Sequence, residues 1–321
     1  MWSSILDSGL QADSKSHRLV PTTRSKLGSI VNNGVSDLQP WSAFIFSICV
    51  ILVVATCYLA EKVLLEVVYR ATYQKLVAAA AIDGHERRRR GFVSHHVAAF
   101  FKILLLSACA VPFFRLVLPG PASFRTPLHG GSEGGSRSGI TIGDMLLVAG
   151  QLYCAYYTWE LSYRASLASY ISMLHHTVLL VVGQLGMALS AYPEVNHEAT
   201  IEFYLCIIWG AFDVVSEIPV HLAMILYRAV DGGGGGNAGS DDGRWQRRWV
   251  SRALFFCTGW CSCCTAAEMG VSAWLLKESW AQWDLGFQIA TPIILLIWGV
   301  SQCFSSWQIF GLAMAERRRH I

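Results

Sequence analysis

The 321 residues are 53% hydrophobic and only 15% charged, and their mean hydropathy is +0.41. This composition is far more apolar than that of a soluble domain, and it predicts an all-α protein that crosses a membrane several times. The net charge of +3 says little by itself, because the positions of Lys and Arg carry the information in a membrane protein.

Seven segments are long and apolar enough to cross a bilayer, which requires about 20 residues. They are residues 41–60, 97–118, 140–159, 170–191, 200–227, 251–276 and 288–315. The sequence therefore predicts about seven transmembrane helices.

The residues outside these segments suggest a simple division of the chain. Residues 1–40 are polar and lack the apolar core of a signal peptide, so we expect a disordered tail. Residues 41–86 hold the first span and a connection, residues 87–315 the main transmembrane domain, and residues 316–321 a basic tail. Glycine-rich stretches at residues 130–139 and 231–243 predict flexible linkers, because they are too polar and too rich in glycine to fold.

No metal site is expected from the cysteines or histidines. Most of the ten cysteines lie inside apolar segments, where a free Cys behaves as a small apolar residue. The cluster from Cys261 to Cys264 lacks the paired spacing of a zinc site. The two His-His pairs are not the longer His boxes that a membrane di-iron enzyme would need.

The connections between the spans indicate an orientation. Sixteen Lys and Arg residues fall on one side of the predicted topology and eight on the other. The positive-inside rule then places the N-terminus outside or in a lumen and the C-terminus in the cytosol. The runs Arg87–Arg90 and Arg317–Arg319 lie next to spans, which indicates contact with anionic lipid and not with nucleic acid.

Five ionisable side chains interrupt the fourth and fifth apolar segments. His175 and His176 are adjacent on the fourth, and Asp213, Glu217 and His221 recur every four residues on the fifth. Such groups are expensive to keep at membrane depth, so they usually face the protein interior and mark a site. A helix would put the three groups of the fifth segment on one face, in a stripe about 80° wide.

The estimated membrane depths of these side chains can be compared between the two segments. Counting about 1.5 Å per residue from the cytosolic ends places His175 and His176 about 8–9 Å deep, His221 about 10 Å, Glu217 about 16 Å and Asp213 about 22 Å. A short connection joins the two segments, which favours antiparallel neighbours. We therefore predict that the histidine pair and the stripe meet.

Two further residues could line the entrance to this site. Glu160 lies at the cytosolic end of the third segment, and Tyr157 precedes it by three residues. Tyr side chains near the end of a span are more often interfacial anchors, and a single buried His often only joins two helices by a hydrogen bond. We predict His175, His176, Asp213 and Glu217 as candidate catalytic residues, and His221, Glu160 and Tyr157 as candidate substrate-binding residues.

Several of these residues resemble a known family. Met173-Leu-His-His-Thr-Val178 followed by Asp213-Val-Val-Ser-Glu217 is similar to the TLC domain, which ceramide synthases share with translocation-associated and lipid-regulating membrane proteins. Ceramide synthases carry the pattern H-D-x-S-D-x-x-L-E. Asp213 and Glu217 match its second Asp and its Glu, but Trp209 and Gly210 stand where its first His and Asp would be.

The departure brings the chain nearer to the non-synthase members. Glu217-Ile-Pro-Val-His-Leu222 is similar to their corresponding stretch, and Val93-Ser-His-His96 resembles the segment that opens the domain. The resemblance covers residues 87–315. It implies six helices around a cavity, one added first span, and residence in the endoplasmic reticulum.

Three functions remain open from the sequence. The protein could bind or regulate membrane lipids through the His/Asp/Glu cluster, without a cofactor. It could transfer an acyl group from acyl-CoA to a lipid, with one imidazole as general base and a carboxylate as its partner. It could also be a proton-coupled transporter, because buried Asp, Glu and His side chains build proton relays.

Overall fold

The structure is a computed structural model that describes residues 34–70, 85–118, 120–128, 139–164, 169–192, 199–232 and 241–320. Seven α-helices lie within these ranges: α1 (Ser42–Ala60), α2 (His85–Val117), α3 (Ile142–Arg164), α4 (Tyr170–Leu189), α5 (Ala199–Gly232), α6 (Asp241–Ser279) and α7 (Leu285–His320). A π-helical turn over Glu61–Val68 continues α1, and 3-10 turns lie at Gln39–Trp41 and Trp280–Gln282. The described ranges hold no β-strand, so the predicted all-α fold is confirmed.

Each of the seven predicted segments falls on one helix, and six of the described helices are long and apolar enough to span a membrane. The helix outside this group is α3, which has 23 residues but carries several polar side chains. Packing explains how α3 tolerates them. It is covered by α1, α2 and α4, and its polar Gln151 and Glu160 are both buried. Polar groups at membrane depth are acceptable where protein and not lipid surrounds them.

Six of the helices form a closed ring. Around the ring, α2 contacts α3, α3 contacts α4, α4 contacts α7, α7 contacts α6, α6 contacts α5, and α5 returns to α2. Helix α1 lies outside the ring and packs mainly on α3. This arrangement agrees with the predicted bundle of six helices and one additional span.

Helix α1 shows how the outer surface is built. Its buried residues are Cys49, Val53 and Cys57, which recur every four residues and so form one inward stripe. Large apolar side chains elsewhere on α1 are exposed, among them Ile51 at 67%. An apolar exterior of this kind is the surface that a bilayer covers.

The disordered N-terminal tail, predicted to cover residues 1–40, was drawn too long. Residues 1–33 lie outside the described residues, but the segment from residue 34 to residue 40 is packed on the bundle. Val35 is fully buried, Ser36 Oγ donates to Asp144 Oδ1 at 2.6 Å, and Gln39 Nε2 donates to Ser190 Oγ at 2.7 Å. This stretch is therefore ordered, because its polar side chains bond the ends of α3 and α4.

Helices also extend into segments that the sequence assigned to a tail or a linker. The predicted basic tail begins at Glu316, which is 1% exposed and accepts hydrogen bonds from Arg247 and Arg319 within the last turns of α7. The second predicted linker is shorter than expected, because α5 ends at Gly232 and α6 begins at Asp241. Residues 233–240, and residues 130–138 of the first linker, lie outside the described residues.

Alternating helix directions give the bundle two distinct ends. We call the end that holds Arg90, Arg164 and Arg247 the arginine-rich end. It contains the starts of α2, α4 and α6 and the ends of α3, α5 and α7. The other end, which holds the packed segment around Val35, is called the opposite end.

Candidate functional site

The centre of the bundle holds a buried lysine between two carboxylates. Lys102 on α2 is fully buried, and its Nζ lies 2.8 Å from Asp213 Oδ2 and 2.9 Å from Glu217 Oε2 on α5. Its third N–H donates to the hydroxyl of Tyr157 on α3 at 2.8 Å. All three donors of the ammonium group are therefore used. We call Lys102, Asp213, Glu217 and the groups bonded to them the Lys102 cluster.

Two tyrosines complete the shell around Asp213. The hydroxyl groups of Tyr153 and Tyr157 donate to Asp213 Oδ2 at 2.8 and 2.5 Å. This oxygen thus receives hydrogen bonds from three groups, including Lys102. The other oxygen, Oδ1, is buried and has no hydrogen-bond partner among the described residues. Tyr157, a predicted substrate-binding residue, is an internal partner of Asp213 with no exposed surface.

A chain of hydrogen bonds runs from Glu217 toward the arginine-rich end. His221 Nε2 lies 3.3 Å from Glu217 Oε2, and His221 Nδ1 lies 3.0 Å from His95 Nδ1. His221 and His95 are both buried. A contact between two Nδ1 atoms requires one ring to donate and the other to accept. One of the two histidines therefore carries a proton on Nδ1, and the other does not.

A third carboxylate, Glu160, lies at the arginine-rich end of α3. It is 3% exposed, accepts a hydrogen bond from Tyr156 at 2.6 Å and pairs with Arg164 at 2.5 Å. His176 Nδ1 lies 3.8 Å from Glu160 Oε2, which is too far for a hydrogen bond. The ring of His176 packs edge-on against Tyr157, with the ring centres 4.6 Å apart, and so links Glu160 to the Lys102 cluster.

The two adjacent histidines of α4 have different partners, as expected for neighbours about 100° apart on a helix. His175 Nδ1 lies 2.9 Å from Ser301 Oγ on α7, and the ring packs on Trp298 at 4.2 Å. Ser169 caps the start of α4 by accepting a hydrogen bond from the Ser172 amide, which fixes where the helix begins. His175 and His176 are both buried in the bundle.

The predicted contact between the histidine pair and the α5 stripe is present, but the predicted depths are wrong. His175, Asp213 and Glu217 each offer a ligand atom within 4.8 Å of the others, whereas the depth estimates separated His175 from Asp213 by about 13 Å. Helix α5 has 34 residues, or about 51 Å, which exceeds the roughly 30 Å of a bilayer core. Counting inward from Arg228 therefore does not give the height of Asp213 relative to His175.

The same three groups are spaced closely enough to share a metal ion. However, the Lys102 ammonium already bonds both carboxylates and supplies a fixed positive charge at this place. We therefore assign the counter-charge of Asp213 and Glu217 to Lys102 and not to a metal.

A cavity of about 160 Å³ adjoins the Lys102 cluster. Its wall is almost entirely apolar and comes from α2, α3, α4, α5 and α7. Tyr153 forms part of this wall, and its hydroxyl bonds Asp213, so the apolar space ends at the charged cluster. The wall also includes Leu106 and Phe114, which are 40% and 55% exposed, and this indicates that the cavity reaches the lipid-facing side of α2.

All seven predicted site residues thus belong to one connected region, but the sequence reasoning missed several of its members. Lys102 is the most important omission. It lies inside the second predicted span, where the rule that singled out His175 applies equally to a lone lysine. His95 was noted only within the stretch that resembles the opening of the TLC domain, although it is 6% exposed.

Comparisons of this chain with protein-family models, with curated proteins and with solved structures found no match.

Proposed function

We propose that this protein binds a membrane lipid, with an acyl chain in the cavity and the polar head group at the Lys102 cluster. One observation carries the proposal: the apolar cavity ends at Tyr153, whose hydroxyl bonds the buried Asp213. Binding sites for small molecules are typically apolar spaces with a few convergent polar groups. Charged side chains buried at membrane depth also indicate a site, because burying them costs free energy and they are usually kept only where they serve a function.

The length of the cavity wall fits a chain and not a compact ligand. On α5 the wall runs from Phe203 to Val215, a rise of about 18 Å at 1.5 Å per residue. That distance is more than half of the roughly 30 Å hydrocarbon core. The space therefore suits a segment of an acyl chain that lies along the helices, since a volume of about 160 Å³ is smaller than a whole chain.

A glycine in the cavity wall offers a direct test. A Cβ at Gly210 would have only the Tyr153 ring at 4.0 Å nearby, so a leucine there would project into the cavity without a backbone clash. Replacing glycine by leucine inside a helix also favours the helix by roughly 1 kcal/mol. We expect Gly210→Leu to fold and to lose the lipid that the wild-type protein retains through purification.

The matched control is Gly311→Leu on α7, where a Cβ would meet no atom within 4 Å. Lipids extracted from both variants and from the wild type would be compared by mass spectrometry. An extract from Gly210→Leu identical to that of the wild type would refute binding in this cavity.

Acyl transfer from acyl-CoA is the second candidate. The His221–Glu217 contact at 3.3 Å favours it, since a carboxylate beside an imidazole orients the ring and stabilises its charged form. Trp209 and Gly210 lack the polar groups that the resemblance to ceramide synthases requires at these positions. An assay of the purified protein with acyl-CoA and amine or hydroxyl lipids, with His221→Ala and His176→Ala as controls, separates catalysis from binding.

Proton-coupled transport has weaker support. The chain from Glu217 through His221 to His95 is of the kind that carries protons, but it reaches only toward the arginine-rich end. On the other side of Asp213 the described residues present the apolar wall of the cavity. A flux assay in liposomes with Asp213→Asn as the comparison tests this candidate.

Family and location are further parts of the proposal. The ring of six helices with α1 outside it supports membership in the TLC family, since the resemblance implies that arrangement. The same resemblance supports the endoplasmic reticulum as the compartment. The excess of Lys and Arg supports a lumenal N-terminus and a cytosolic arginine-rich end.

A further inference from the structure

Helix α6 carries a buried carboxyl group that is not part of the Lys102 cluster, and α7 carries a buried indole beside it. Glu268 on α6 is 2% exposed, and its Oε1 has no hydrogen-bond partner among the described residues. Trp298 on α7 is 5% exposed, and its indole N–H likewise lacks a partner there. A buried polar atom without a hydrogen-bond partner, here called orphaned, costs free energy. We therefore expect each of these atoms to bond a ligand or a water.

Contacts between the helices place Glu268 on the level of the Lys102 cluster. Trp209 Nε1 donates to Ser272 Oγ at 2.8 Å, and Cys261 Sγ lies 3.5 Å from the Ser216 carbonyl oxygen. Asp213 lies between the two α5 residues of these contacts, and Glu268 lies between the two α6 residues. The carboxyl groups of Asp213 and Glu268 are therefore at about the same height in the bundle.

Trp298 lies at this height as well and faces the cavity. Its ring packs on His175 and forms part of the cavity wall. The next residue, Gly299, is close to Met269, the neighbour of Glu268. The Trp298 indole N–H lies close to the Glu268 carboxyl, although neither Trp298 Nε1 nor Glu268 Oε1 meets the distance and angle of a hydrogen bond. Three atoms without a hydrogen-bond partner among the described residues thus lie at the height of the polar end of the cavity: Asp213 Oδ1, Glu268 Oε1 and Trp298 Nε1. Of the three residues, Trp298 lines the cavity wall, and the two carboxyl groups lie behind it.

The charges at this end of the cavity disfavour an anionic ligand. Asp213 and Glu217 share the single ammonium of Lys102, whose three N–H groups are all engaged. Arg164 pairs with Glu160, and the small space beside them, about 10 Å³, holds no more than a water. A phosphate group beside Asp213 would meet more negative than positive charge, because the Lys102 donors are all engaged and the unpartnered Arg164 Nε belongs to the smaller space beside Glu160.

The orphaned atoms also define what the ligand must offer. The two carboxyl oxygens can accept hydrogen bonds, and the indole N–H can only donate. A hydroxyl or amide group provides both a donor and an acceptor, whereas an ammonium group provides donors alone. We propose that Glu268, Trp298 and Asp213 Oδ1 form a head-group subsite for an uncharged lipid with a hydroxyl or amide group, and that this subsite rejects phosphate head groups. This inference rests on lipid binding as the proposed function.

Matched lipids test the inference on the wild-type protein. Diacylglycerol and phosphatidic acid with the same acyl chains differ only in whether the hydroxyl carries a phosphate. Affinities of the purified full chain in detergent would be measured by native mass spectrometry for these two lipids and for the methyl ether of the diacylglycerol. We expect diacylglycerol to bind at least about tenfold more tightly than the other two, since each leaves buried polar atoms unpaired or adds an unmatched charge.

Variants locate the selectivity. Trp298→Phe removes the N–H and is expected to weaken diacylglycerol binding about tenfold. Trp307→Phe, at a 69% exposed position of the same helix, is the control and should leave binding unchanged. Glu268→Leu should weaken binding similarly, and Glu268→Gln, which keeps an acceptor oxygen, should retain it.

Failure of this inference can be told apart from failure of lipid binding. Equal or tighter binding of phosphatidic acid, or of the methyl ether, overturns the hydroxyl subsite while lipid binding itself stands. Equal effects of Trp298→Phe and Trp307→Phe also overturn it. If the wild-type protein binds none of the lipids and yields none on extraction, the proposed function fails and the subsite with it.

Discussion

Lys102 Nζ lies 2.8 Å from Asp213 Oδ2 with both side chains completely buried, and this pair joins α2 to α5 at the centre of the bundle. A buried ion pair is weak proof of stability in itself, because desolvation offsets much of the attraction. Removing one member is different, since the remaining charge is left without compensation. The pair therefore determines which substitutions the site tolerates.

Lys102→Met is expected to destabilise the protein by about 3–5 kcal/mol, because Asp213 and Glu217 would lose their shared cation. Unfolding of each variant in detergent would be monitored by the loss of its helical signal. Lys62→Met is the control, since Lys62 is about half exposed and its pair with Glu66 contributes at most about 1 kcal/mol. A double variant, Lys102→Met with Asp213→Leu, should recover part of the loss. Equal stability of the Lys102 and Lys62 variants would contradict the role of the buried pair.

Gly143→Ala is expected to loosen the N-terminal segment from the bundle. A Cβ at Gly143 would overlap the Val35 backbone carbonyl, which cannot rotate away as a flexible side chain could. Overpacking of this kind costs about 1–3 kcal/mol. Gly286→Ala is the control, because a Cβ there meets no atom within 4 Å. Limited proteolysis before residue 42 should be faster for Gly143→Ala alone, and unchanged cleavage would show that the packing is not needed to hold the segment.

His95 and His221 are expected to share a hydrogen-bonded proton. In a sample with ¹⁵N-labelled histidine, magnetic resonance should detect a coupling between their two Nδ1 atoms, which lie 3.0 Å apart. His95→Phe should abolish the coupling and destabilise the protein by about 1–3 kcal/mol, because His221 Nδ1 would be buried without a partner. His96→Phe should preserve it, since His96 bonds the Phe92 carbonyl and Tyr69 instead. A coupling that survives His95→Phe would assign the proton to another pair.

The orientation is expected to follow the positive charges. The chain has no N-x-S/T sequon, so engineered sequons report the side of the membrane without background. A sequon within residues 1–33 should be glycosylated in microsomes, and one within residues 233–240 should not. The reverse pattern would show that the N-terminus is cytosolic.

The sequence by itself determined the number and approximate bounds of the helices, because runs of about 20 apolar residues need no partner to be recognised. It also determined that Asp213, Glu217 and His221 share a face, since spacing along a single helix fixes that relation. It pointed to the histidine pair through the cost of burying ionisable groups.

Only the tertiary structure decided what these groups contact. The pairing of Lys102 with α5, the bond between His95 and His221, and the common height of Glu268 and Asp213 all join residues on different helices. Periodicity gives no information on how far one helix slides or rotates against the next. The order and heights of helices in the ring are set by packing between them, and that packing brings the charged groups to the end of one cavity.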